Sequence, residues 1–99
     1  MKFVAVTACT TGIAHTYMAA EQLERAAKEL GHEIKVETQG AMGIENELSA
    51  EDIRAADAAI FAVDIEVEQR ERFNALKITQ VSVRDAIKDP KAIFAKIAK

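Results

Sequence analysis

The chain has 99 residues, 49% of them hydrophobic, and a formal net charge of −3. That length suits one small domain with a single sheet or bundle core, and the acidic balance leaves no basic footprint for nucleic acid or an anionic membrane surface. Aromatics are 5% and nineteen residues are Ala, so the core must come mostly from Ala, Val, Ile and Leu, while one Cys excludes an internal disulfide framework.

From Phe3 to Ala20 eighteen residues pass without Asp, Glu, Lys or Arg. A signal peptide or membrane span is excluded by content: Thr7, Thr10, Thr11, Gly12, His15 and Thr16 interrupt the run, and its apolar part, Phe3 to Val6, is too short to cross a bilayer. A cytoplasmic protein is expected, a setting that keeps a cysteine reduced. Phe3–Thr7 is apolar and β-branched without alternation, which predicts a buried strand. A loop follows over Ala8–Thr11. From about Ile13 to Leu30, Ala19, Leu23, Ala26, Ala27 and Leu30 recur at helical spacing, with Gly31 placed to end the helix. Glu21, Glu24, Arg25 and Lys28 form its solvated outer face.

Glu33–Thr38 alternates and predicts a half-exposed strand with Ile34 and Val36 inward. Gln39–Leu48 reads as a loop with two glycines. Ser49 with Asp52 three residues on signals the start of a short helix ending near Ala56. Ala58–Val63 predicts a second central strand. Asp64–Phe73 is polar and holds at most a helical turn, Thr79–Val83 predicts a fourth strand, and Asp89-Pro90 starts a terminal helix. Strands alternating with helices imply an α/β fold: an open four-stranded, mostly parallel sheet with helices on both faces. Ligands of such sheets bind beyond the carboxyl ends of the strands, where the loop with Cys9 emerges.

That loop, Ala8 to Thr16, joins a strand to a helix in the manner of a phosphate-binding loop. Unpaired N–H groups and the dipole of a helix N-terminus make an anion site that needs no Lys or Arg. Gly12 lets the loop curl, and Thr10, Thr11 and Thr16 offer hydroxyls. The same field favours a thiolate at Cys9, so a nucleophile and an anion cradle coincide. The absence of acidic residues fits, since a carboxylate would repel both thiolate and phosphate. The plainer reading of a lone Cys is a small buried hydrophobe, and the strand-end position before Thr-Thr-Gly argues against it. His15 is either a polar helix residue or a partner of the loop or phosphate. Cys9, His15 and His32 do not make a metal site, because His32 lies at the far end of the first helix.

Cys9-Thr10-Thr11-Gly12-Ile13-Ala14-His15-Thr16 resembles the signature of the fructose-specific IIB component of the bacterial phosphoenolpyruvate-dependent sugar phosphotransferase system. Tyr17 to Glu21, Val36-Glu37-Thr38-Gln39-Gly40-Ala41-Met42-Gly43 and Glu45-Asn46-Glu47-Leu48 fit as well, and the resemblance spans residues 1–99 as one IIB domain. The family usually has Pro after the cysteine; Thr10 restores an N–H there and gives up the fixed φ. The resemblance implies that Cys9 accepts a phosphoryl group from a phosphohistidine on the IIA component and passes it to a sugar, fructose by family default, on the membrane component IIC. Thr10, Thr11, Gly12, Ile13, Ala14, His15 and Thr16 would surround the phosphate, with no metal or cofactor. Tyr17, Met18, Met42 and Ile44 are candidates for partner docking, with packing inward on the first helix the alternative for Tyr17 and Met18. The protein would visit the inner membrane face only through IIC.

Three rivals compete. A cysteine-dependent phosphatase resembles Cys-x5-Arg-Ser/Thr, and His15 stands where its Arg would be. Asp64 and Glu66, acid candidates because they follow the Ala58–Val63 strand toward the sheet's carboxyl edge, read as solvated loop residues. A thiol redox module would need a Cys-x-x-Cys pair. A IIB-like regulatory domain keeps the fold, but an intact cysteine loop points to phosphorylation.

Overall fold

A computed structural model of the chain describes residues 1–9, 13–40 and 43–97. In chain order the elements are β1 (Lys2–Ala8), α1 (Ile13–Glu29), β2 (Glu33–Gly40), β3 (Gly43–Glu45), α2 (Ala50–Ala55), β4 (Ala58–Val63), a 3-10 turn (Arg70–Phe73), β5 (Ile78–Val81), α3 (Val83–Lys88) and α4 (Pro90–Ile97). They build one sheet in the order β3-β2-β1-β4-β5. β1 lies in the middle and pairs in parallel with β2 and β4, β4 pairs in parallel with β5, and β3 runs antiparallel to β2. A central strand covered on both faces needs apolar side chains at every position, which is why Phe3–Ala8 and Ala58–Val63 show no alternation.

Helices cover both faces. On one, Phe3, Ala5, Val36, Ile60 and Ala62 meet Ala19, Leu23 and Ala27 of α1, Val83 and Ala86 of α3, and Ile93 and Phe94 of α4. The small alanines let α1 sit close to the sheet, and burying Leu23 stabilises the fold by about 2 kcal/mol. On the other face Val4, Val6, Ala59, Phe61 and Val63 meet Leu48, Ile53, Val67 and Phe73. Phe61 and Phe73 pack edge to face with ring centroids 5.1 Å apart. No described helix is long and apolar enough to cross a membrane.

The structure departs from the sequence expectations in three places. First, the sheet has five strands among the described residues. The fifth, β3, lies in the segment read as a loop; β2 continues to Gly40, and Gly43, at φ +88°, pairs with it as the chain returns. Second, the alternation of β2 stops at Val36. Glu37, Thr38 and Gln39 are all buried, because by then β2 is flanked by β1 and β3. Third, β5 ends at Val81 and Ser82 caps an additional helix, α3, its hydroxyl accepting the Asp85 N–H at 3.0 Å. The other local signals hold. Gly31 ends α1 at φ +79°, Ser49 and Asp52 form the reciprocal capping box of α2, and Pro90 opens α4.

Candidate functional site

Cys9 is half-buried directly after β1, at the carboxyl end of the central strand. α1 begins at Ile13 with no acidic side chain in its first turn, so its positive end is not neutralised. The Thr7 hydroxyl donates to the Thr16 carbonyl at 3.1 Å and ties the end of β1 to that first turn. Thr10, Thr11, Gly12 and Met42 lie outside the described residues, as does the side chain of Ile13.

The chain brings a carboxylate to the cysteine after all. Asp64 follows β4, the strand beside β1, and its N–H donates to the Ala8 carbonyl at 2.9 Å. The Cys9 thiol donates to Asp64 Oδ2 at 3.5 Å, and Oδ1 accepts the Val83 N–H, at the first residue of α3, at 3.4 Å. Asp64 is exposed, but it is not the plain solvated loop residue its sequence suggested. The expectation that carboxylates are excluded near Cys9 holds along the chain and fails across the sheet, because adjacent parallel strands end side by side.

Beside Cys9 opens a pocket of about 460 Å³, lined also by His15 and Met18 of α1, Asp64, and Val83, Arg84, Ile87 and Lys88 of α3. Its floor is apolar and its α3 side carries two cations, so a phosphoryl group on Cys9 would find positive charge within the same cavity. Sequence reasoning missed Arg84 and Lys88; helix α3, which carries them, was hidden by reading Val83 as strand. Ala14 and His15 are exposed, whereas Thr16 is 2% exposed and does not line the pocket. The Thr16 and Thr38 hydroxyls are buried with no hydrogen-bond partner among the described residues.

Tyr17 and Met18 are 40% and 48% exposed, and Ile44 is half-buried. The Tyr17 hydroxyl donates to Glu45 of β3, which holds the Tyr17 phenol above its usual range, the hydrogen bond being the main cause. Of the docking candidates, Met18 borders the cysteine pocket while Tyr17 reaches the opposite way, to β3. His32 lies apart: its ring stacks against Phe3 and Phe94.

One strand over from Cys9, Glu37 is fully buried. Arg72 grips both of its carboxylate oxygens at 2.9 Å, the Leu48 N–H donates to Oε1 at 2.9 Å and the Gln39 amide to Oε2 at 2.7 Å. Burial pushes the Glu37 carboxyl up, and the hydrogen bonds from Arg72, Leu48 and Gln39 together outweigh it, leaving it below the usual range. Gln39 also accepts the Glu68 N–H at 2.8 Å and donates to the Glu68 carbonyl at 3.1 Å. The Glu-Thr-Gln segment thus anchors the loop that begins at Asp64.

The family described as PTS system, lactose/cellobiose specific IIB subunit, matches residues 4–96. The PTS system fructose-like EIIB component 2 of Escherichia coli K12 is 55% identical over 96 residues, covering 97% of this chain and 91% of that protein. The fructose-like PTS system EIIBC component of the same strain is 46% identical over 99 residues, 98% of this chain but 20% of that longer protein. The solution structure of an Enzyme IIB subunit of a PTS system from E. coli K12 superposes with a TM-score of 0.92 at 45% identity, covering 98% of this chain and 90% of that one. With the cysteine at the carboxyl edge of a parallel sheet, these matches place the chain in the IIB family of the sugar phosphotransferase system, as a phosphotransferase component of a fructose-like system.

Proposed function

We propose that Cys9 is the residue that carries the phosphoryl group, received from a phosphohistidine on a IIA component and passed to a sugar, fructose by family resemblance, held by a membrane IIC component. The position of Cys9 carries this reading: it ends the central strand, precedes the N-terminus of α1 and opens onto a pocket with Arg84 and Lys88. A loose, negatively charged phosphoryl transition state is stabilised by N–H groups and cations in either direction, as a two-way carrier requires. The family resemblance assigns phosphate binding to Thr10, Thr11, Gly12, Ile13, Ala14, His15 and Thr16. Met18, beside the pocket, offers a contact to partners that must bind in turn and let go, and Tyr17, Met42 and Ile44 are further candidates from the sequence. Residues 1–99 act as one IIB module that works in the cytoplasm and meets the membrane through IIC.

The test is labelling from phosphoenolpyruvate through the general phosphotransferase components and a IIA partner. The wild-type chain is expected to retain one label, and Cys9→Ser none. Label entering the Ser variant would overturn the assignment. Steady turnover of an aryl phosphate ester by the wild type would point to a phosphatase instead.

A further inference from the structure

We propose that Asp64 is a catalytic residue of the transfer: its carboxylate takes the Cys9 proton as sulfur attacks phosphorus and, being exposed, passes it on to water. The proposal rests on Cys9 being the acceptor. Asp64 is held from two sides, by its N–H on the Ala8 carbonyl and by Oδ1 on the Val83 N–H, so that Oδ2 stands 3.5 Å from Sγ. A general base must lie within hydrogen-bond reach of the proton it abstracts, and this oxygen already accepts it.

The forward step balances as follows. The thiol proton moves to Asp64, the S–P bond forms and the P–N bond of the donor phosphohistidine breaks. The imidazole nitrogen keeps the electron pair and departs as neutral imidazole, because the other ring nitrogen is protonated. In the onward step a sugar hydroxyl oxygen attacks phosphorus and loses its proton to water. The S–P bond breaks, sulfur keeps the pair, and the thiolate recovers its proton from water. Arg84 and Lys88 in the same pocket offset the repulsion between the carboxylate and the phosphoryl group.

The charged and titratable groups around this pair are Cys9 itself after β1, His15 on α1, and Arg84 and Lys88 on α3. The two cations stabilise the phosphoryl group. His15 is the other side chain of general-base chemistry in the pocket, and so needs its own control.

The experiment is rapid-quench labelling between about pH 6 and 8.5, around the range where thiols and imidazoles titrate. With one donor throughout, each variant's rate is divided by the wild-type rate, which cancels the donor's own titration. Asp64→Asn must release the thiol proton to water first, so its relative rate is expected to rise about tenfold per pH unit. At the acid end it should fall about 100-fold or more below wild type. His15→Gln, whatever its rate, is expected to give a relative profile flat in pH. A flat relative profile for Asp64→Asn, or the rising one for His15→Gln, overturns the proposal. A second variant keeps the proposal testable if Asp64→Asn fails to fold: Asp64→Ser lacks the base in the same way and must give the same rising profile, and a flat one overturns the proposal. Failure of the acceptor reading looks different, since label would then enter Cys9→Ser.

Discussion

The carboxyl edge of the sheet has two neighbouring regions built on opposite terms. At the end of β1, Cys9 opens onto a pocket, its carboxylate partner is exposed, and the cations lie on a helix from the far end of the chain. At the end of β2, Glu37 is shut away and every charge is matched, by Arg72, the Leu48 N–H and Gln39. The first region can accept a group with negative charge. The second has no capacity left and serves as the fixed wall. With its guanidinium held by both Glu37 oxygens, Arg72 has no free fork to compete for an anion at the Cys9 pocket one strand away.

Substitutions on the two sides should therefore separate activity from stability. Cys9→Ala is expected to abolish label uptake entirely while costing about 1 kcal/mol or less of stability, read by thermal melting beside the labelling assay. Arg72→Met is expected to do the opposite. It strands the buried Glu37 and costs about 3–5 kcal/mol, a large share of the total for a domain of this size, yet the folded fraction should still take label on Cys9. A loss of labelling in proportion greater than the unfolded fraction would show that the two regions are coupled. Adding Glu37→Leu to Arg72→Met should recover part of the stability, because the stranded charge is gone while the Leu48 N–H still lacks its acceptor.

Acid should weaken the fold through the carboxyls that folding has lowered. The Glu37 carboxyl and Asp52 both stand below their usual ranges, Asp52 at about 2 with the Lys35 hydrogen bond as its main cause. A carboxyl lowered on folding stabilises above its unfolded value and loses that contribution as pH falls through its folded one. Melting temperature is thus expected to decline from about pH 4 downward, and the Glu37→Leu, Arg72→Met double variant should show a shallower decline. The smallest effect concerns the cap of α2. Ser49→Ala removes one side of its capping box and should cost about 1 kcal/mol, measurable by melting with labelling unchanged.

What could be read from the sequence follows the range of the forces involved. The Ser49–Asp52 box, Gly31 after α1, Pro90 opening α4 and the run Ala58–Val63 are fixed by neighbours a few residues away, and each is where the pattern put it. The inward positions of β2 were misread beyond Val36 because Glu37 looks like an outward strand residue until Arg72, 35 positions later, is brought to it. Cys9 was visible as a strand-end cysteine before a helix. Asp64 was in view as a residue that follows the Ala58–Val63 strand toward the sheet's carboxyl edge, though read as solvated; Arg84 and Lys88 were not, because no spacing along the chain links them to Cys9 and α3 brings them there. The uncharged stretch from Phe3 to Ala20 is real, but it describes one segment and not the space around it.

Gln39 has one more consequence. Its amide offers an N–H and a carbonyl to the N–H and carbonyl of Glu68, the same exchange that paired strands make. A side chain thus stands in for a missing strand, and the segment from Asp64 to Phe73 is stitched to the sheet although it contributes no strand to it. The Glu68 amide should exchange with deuterium as slowly as sheet amides do and open only when β2 opens. The segment that delivers Asp64 to Cys9 then belongs to the same cooperative unit as the sheet.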